Sequence, residues 1–301
     1  MKVKVIPPPR RKQKKKINWQ AIATFITAII ATLGIVVSFL TYLRTEEERS
    51  IQRAFAQNAR FSDAVERLES KSLYVRMAGL FELRQIGLDD QERQESIIRI
   101  LGPFIRDGIE NRELILTRRE GGGANTIYRP KEDVFLAAEI SSLFWKQIYL
   151  DSARDTIFVD LNNLQAENID LSGIDLKGAN LMRANFQDSN LFGANFYCAF
   201  LSYAEFQGAL LSNANFQYAE LAFTNLQDTS LFGANFQNAF LFIQARYLRG
   251  ANLQHADLRG VRTLFGVQQL LEEAFIDDTT LIDPSEDFDR LHIQQNQTPT
   301  E

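Results

Sequence analysis

From Leu171 to Leu241 the chain repeats with a period of five. Leu or Phe stands at every fifth position, from Leu171, Leu176, Leu181 and Phe186 through to Leu231, Phe236 and Leu241, fifteen repeats without a slip. Two residues before each lies a small or aliphatic partner, most often alanine, as at Ala184, Ala194, Ala204 and Ala214. A helix repeats at 3.6 and a strand at 2, so a period of five requires a short extended piece and a turn in every repeat. The two apolar residues of a repeat share one side of the extended piece and fill an interior. Between them recur Asp175, Asn180, Asn185, Asn195, Asn215 and Asn235, residue types that favour turns because their side chains bond nearby backbone.

A longer period is superimposed. Gly173, Gly193, Asn213 and Gly233 stand twenty apart, and Gly and Asn are the residues that best tolerate positive φ. Gln187, Gln207 and Gln227 repeat at the same interval, and the run Asn190–Phe196 returns forty residues later as Ser230–Phe236. Four repeats therefore close one coil. After Leu241 the register slips by two and resumes at Leu248, Leu253 and Leu258, which predicts a bulge or small loop near Ile243–Tyr247. About four and a half coils make a rod of roughly 22 Å at the ~4.8 Å strand spacing.

Upstream the pattern changes twice. Ile17 to Leu43 is a run of 27 residues without a charge, long enough as a helix to cross a hydrocarbon core of ~30 Å. Trp19 and Tyr42 lie near its ends, where aromatic belts form. The run lacks the short apolar region and small-residue cleavage site of a signal peptide, so it reads as a retained single-pass anchor. Residues 46–107 carry apolar positions at helical spacing (Phe61, Ala64, Val65, Leu68; Leu73, Met77, Leu80, Phe81; Ile97, Ile98, Leu101, Ile105), with breaks at Ser70–Ser72 and Gly87–Asp90. Three helices are expected. Gly121–Gly123 marks a linker and lacks the Lys-Ser/Thr ending of a phosphate-binding loop. Pro130 opens a further helix, 131–145, with an apolar stripe of Leu136, Ile140, Leu143 and Phe144, expected to cover the open end of the first coil, whose backbone groups would otherwise be unpaired. The period stops after Gly260. A short helix over 264–274, the segment Phe275–Leu281 and an acidic polar tail from Asp283 follow.

The organisation expected is thus a basic disordered head (1–16), a transmembrane helix (17–43), an α-helical module with linker and capping helix (44–150), a β-helix (151–261) and a C-terminal cap with tail (262–301). Charge sharpens this. The net charge is −5, but residues 1–16 hold eight Lys or Arg and no acid, which leaves −13 for the rest. Eight basic residues precede the apolar run and four (Arg44, Arg49, Arg53, Arg60) follow it closely. By the positive-inside rule the head is cytoplasmic, at the anionic surface of a plasma (inner) membrane, and the body lies on the extracytoplasmic side.

The units Ala194-Asn195-Phe196, Ala214-Asn215-Phe216 and Ala251-Asn252-Leu253 resemble the Ala-(Asp/Asn)-Leu-X-X motif of the pentapeptide-repeat family. The resemblance implies a mainly β fold, a right-handed quadrilateral β-helix with four repeats per coil, here preceded by one transmembrane helix and a small helical module. It also brings a rival reading, because quinolone-resistance members of the family are acidic rods that imitate DNA and bind topoisomerases. Between Leu171 and Leu258 this chain has six acids and four bases, a net −2 that imitates poorly a duplex with one charge per ~1.7 Å.

Candidate chemistry is sparse. His255 and His292 are the only histidines and Cys198 the only cysteine. No catalytic triad, metal-ligand spacing or cofactor motif is present in the sequence, so neither an enzyme nor a cofactor is expected. Folding at twenty residues per coil gathers Met182, Phe200, Tyr203, Phe223, Phe240, Phe242 and Ile243 on one outer face, while the face around Phe186, Phe206 and Leu226 shows Gln and Asp. An exposed apolar patch marks an interaction site. The expected partners are the membrane and either an unidentified protein or a second copy, with nucleic acid disfavoured.

Overall fold

The computed structural model describes residues 19–111, 128–151, 158–263 and 266–283. The basic head, Gly121–Gly123 and the tail beyond Asp283 lie outside them. The chain divides into two compact units, residues 1–60 and 61–301.

The first unit is helical throughout its described part. Helix α1 runs from Trp19 to Leu68 without a break at Arg44. Its apolar side chains, among them Phe25, Ile30, Val37 and Leu40, are exposed. The hydroxyls within this stretch bond the carbonyl one turn back, Thr24 to Gln20, Thr27 to Ala23, Ser38 to Gly34 and Thr41 to Val37, at 2.8–2.9 Å. These hydroxyls are therefore satisfied within the helix itself.

The second unit begins with the last turns of α1 and adds α2 (Leu73–Asp89), a 3₁₀ turn (Gln91–Arg93), α3 (Gln94–Glu110) and α4 (Glu132–Asp151). Leu80, Leu83, Ile97, Ile98, Leu101, Ile105, Val134, Ile140 and Phe144 make their shared core. Gly87 is required there, because a Cβ would strike the Phe144 ring. The stripe expected on α4 is split: Ile140 and Phe144 enter the helical core, whereas Leu143 is exposed.

The β-helix follows. Parallel bridges join residues twenty apart, from Asp160–Asn180 to Glu220–Phe240, on four columns. Nearly every repeat closes a turn in which the N–H of the small residue bonds the carbonyl of the preceding Leu or Phe, as Ala184 to Leu181 and Ala214 to Leu211, near 3.0 Å. The residue two after the Leu or Phe has positive φ in nearly every repeat, which is the type II signature. The Leu and Phe ladder and its alanines are buried. Inside, Phe186 stacks on Phe206 and Phe196 on Phe216 on Phe236, at 4.8–5.1 Å between ring centres. Burial of each such ring gains about 1.5–3 kcal/mol.

The two ends differ from expectation. The first coil is met by α3 rather than by α4 alone. Arg106 donates to the carbonyl of Asn162 at 2.9 Å, Glu110 accepts from the Gln165 N–H at 3.1 Å, and Tyr128 bridges to Ile169. These contacts supply the donors and acceptors that an open coil edge needs. Helix α4 instead lies along the outside, with Ser142 donating to Asp175 at 2.7 Å and Trp145 over Gly178, where any Cβ would collide with the indole. At the other end the slip after Leu241 is absorbed by a 3₁₀ turn, Ala245–Leu248. Bridges then span 22 residues (Ser230–Asn252), and β1 (Phe240–Leu241) pairs with β2 (Arg262–Thr263). Helix α5 (Val267–Leu270) is only four residues long. Beyond it Phe275 and Leu281 pair with Asn252 and Asp257, so pairing continues past Gly260 although the sequence period has ended.

Candidate interaction surface

Many of the rod's outer polar groups bond one another. Asn180, Asn190 and Asn195 donate to Asp160, Asp170 and Asp175 one coil below, at 2.9–3.1 Å. The same side chains accept the N–H two residues on, as in Met182 to Asn180 and Gln217 to Asn215. Gln217 donates to Gln237 at 2.8 Å, and Gln237 to Asp257 at 2.5 Å. These ladders are structural. Asp257 is held below the usual carboxylate range, chiefly by hydrogen bonding from Arg259, which outweighs burial. For Asp170 burial pushes upward, but hydrogen bonds from Ser172 and the Arg129 guanidinium outweigh it and the pKa is lowered.

The candidate face stands on the column centred on Leu181, Leu201 and Leu221. Tyr203 and Phe223 stack at 5.0 Å with planes 15° apart and are 47% and 48% exposed. Arg183 lies over Tyr203 at 5.9 Å. All three occupy left-handed positions, φ 58–63°, where bulky residues are uncommon and each costs about 1–2 kcal/mol relative to glycine. Phe200 and Met182 are half-buried, and Phe200 takes an edge-to-face contact from Phe158 at 4.5 Å. Phe240 and Phe242 are half-buried beside each other at 6.1 Å, with Arg262 over Phe240.

One predicted member is misplaced. Ile243 is 3% exposed and belongs to the core. The register slip begins there: Ile243 does not adopt the positive φ found two residues after Leu201 and Leu221. A β-branched residue disfavours that conformation, and the side chain turns inward instead.

Exposed apolar groups are also present on a second column, outside the face expected from the sequence: Phe192, Leu210 and Phe232 are 53%, 43% and 41% exposed. The signal for Phe192 and Phe232 lies in the duplicated Leu-Phe-Gly-Ala-Asn-Phe run, whose second residue points outward. A third column is partly covered, since Trp145 of α4 meets Tyr197 edge to face at 6.4 Å.

Chemistry is thin elsewhere. Among the described residues no group of three or more His, Cys, Asp or Glu could hold a metal ion. Cys198 is half-buried and burial raises its thiol pKa. His255 packs on Phe232 at 4.6 Å. A cleft of 330 Å³ in the helical module is lined by Arg76, Asp107, Arg129 and Asp133 among others, and Arg76 bonds Asp133 at 2.5 Å.

The family model described as "Pentapeptide repeats" matches in eight copies, over residues 160–196, 195–231 and 209–241. Residues 160–241 of this chain are therefore pentapeptide repeats. Solved pentapeptide-repeat proteins resemble its rod. HetL of the cyanobacterium Nostoc sp. strain PCC 7120, a protein involved in heterocyst differentiation regulation, is 27% identical over 36% of this chain and 56% of HetL, with a TM-score of 0.30. Rfr23 of the cyanobacterium Cyanothece 51142 is 30% identical over 36% of this chain and 66% of its own length, TM-score 0.22. A thylakoid-lumen pentapeptide-repeat protein of Arabidopsis thaliana is 28% identical over 37% and 73%, TM-score 0.21. The chain thus spans just over half of HetL. No curated protein matches it.

Proposed function

We propose that this chain is a non-enzymatic, membrane-anchored scaffold that holds a protein partner on the aromatic face of its rod. The stacked, half-exposed Tyr203–Phe223 pair carries the reading. Both rings sit in a conformation that disfavours them, and neither is buried by the fold, so folding alone does not account for them. Met182, Phe200, Phe240 and Phe242 extend the face, and Arg183 and Arg262 border it. Aromatic anchors with arginine at the rim are the usual makeup of protein-binding hot spots.

The anchor rests on α1. Its apolar stretch has a mean hydropathy of 2.3 and is not buried by the rest of the protein, and its hydroxyls are self-satisfied as a lipid environment demands. Residues 17–43 span the inner membrane, with the basic head in the cytoplasm and the rod outside. The rod's modest net charge sets this reading against DNA mimicry.

Crosslinking from intact membranes tests the partner. A Tyr203→Ser/Phe223→Ser double variant should lose the crosslinked partner while keeping its melting temperature within a few degrees. An unchanged partner profile would sink the proposal. A reporter fused after Glu301 that works only outside the cytoplasm should be active, and its silence would reverse the orientation.

A further inference from the structure

Helix α2 is apolar on two opposite sides. Leu80, Leu83 and Ile86 face the helical core and are at most 6% exposed, whereas Tyr74, Phe81 and Leu88 point away from it and are 86%, 53% and 49% exposed. Ala78 and Gln85 complete the outward row, and both are exposed. From Tyr74 to Leu88 the row advances by four, three, four and three residues. That is a 3.5-residue period, the seam of a coiled coil. A helix whose only partner is its own domain has a polar outer face, and α2 does not.

We infer that this stripe pairs with α2 of a second copy of the chain, parallel and in register. The flanking charges select that arrangement. With Tyr74, Phe81 and Leu88 at d positions and Ala78 and Gln85 at a positions, Met77 and Arg84 fall at g, and Glu82 and Asp89 at e. Parallel pairing places each g residue beside the e residue five further along the other helix. Arg84 then meets Asp89 of the second copy, twice by symmetry, and Glu82 meets the aliphatic stem of Met77. Antiparallel pairing sets e beside e and g beside g, so Glu82 would face Glu82 and Arg84 would face Arg84. Gln85, which donates to Asp89 of its own helix at 2.8 Å, is the single polar residue on the seam, and its remaining amide groups are the ones that would fix register in a parallel pair. Two heptads make a short seam, so the pair is expected to dissociate on dilution and to be caught best in the membrane.

The test is cysteine crosslinking of the full chain in membranes, in a Cys198→Ser background, with a short bis-maleimide. Tyr74→Cys, Phe81→Cys and Leu88→Cys should each give a homodimer band, and Leu210→Cys on the rod should not. Adding Phe81→Glu to Tyr74→Cys should cut that band at least tenfold, with helix content and melting temperature unchanged because Phe81 is exposed. The inference is overturned if none of the three α2 cysteines crosslinks. It is also overturned if Tyr74→Cys pairs only with Leu88→Cys, or if Phe81→Glu leaves the band intact. Dimers held by the anchor alone would show the last outcome.

Discussion

Two aromatic stacks run along the rod with the same geometry and opposite surroundings. Inside, Phe196, Phe216 and Phe236 are at most 1% exposed and stack at 4.8–5.1 Å. Outside, Tyr203 and Phe223 stack at 5.0 Å and are half-exposed. The shared spacing is imposed by the coil, since residues twenty apart are bridged neighbours and any two side chains so related lie one strand spacing apart. What differs is the source of free energy. The inner rings are removed from water, whereas the outer rings gain a stacking contact of about 0.5–1.5 kcal/mol against left-handed backbone strain of similar size. The inner stack explains itself and the outer one does not, which is why function is sought on the outside.

That contrast can be broken in several places. The largest effect should follow Leu211→Asp, which puts a carboxylate in a fully buried ladder position. Loss of the packed side chain and an unpaired buried charge together should exceed about 5 kcal/mol and abolish cooperative melting in circular dichroism. Phe206→Ala removes an inner ring with room to collapse only partly, and should destabilise by about 3–5 kcal/mol in urea titration. Phe223→Gly should change stability by less than about 1 kcal/mol, because lost stacking is offset by relief of the positive φ. If the inner and outer variants prove equally damaging, the separation of roles fails.

The smallest expected effect is that of acid. Asp257 and Asp170 have carboxyl pKa values lowered in the folded rod, below the unfolded value of about 3.9. Their contribution is therefore present above pH ~4 and lost as pH falls through the folded values. A melting-temperature series should be flat from neutral down to about pH 4 and then drop, with a shallower drop in Arg259→Ala.

The rod was legible because its period matches no ordinary element. A five-residue ladder with an overlying twenty-residue period leaves few folds open, and even the slip at Ile243–Tyr247 could be placed. Only part of the left-handed column was legible. Gly173, Gly193 and Gly233 advertise positive φ, but Tyr203, Phe223 and Arg183 adopt it without any such signal, because the turn is enforced by the bridges of neighbouring coils. Periodicity alone puts Ile243 outside, but the slip begins there and the backbone no longer obeys the period. The exposed stripe of α2 was hidden by its composition. Apolar residues all around a helix show that both sides want cover, and the sequence does not say which side the fold supplies.

Every bridge in the main body of the rod links residues twenty apart, and this bears on how the rod forms. Loop-closure entropy depends on the length closed, which here stays constant as coils are added. Once one coil is ordered against α3, each further coil meets the same modest kinetic barrier and a ready template, as in other nearest-neighbour repeat architectures. Growth should therefore run from the N-terminal end in coil-sized steps, keeping pace with a chain that is still being synthesised. The 22- to 24-residue coils at the far end should be the last to order.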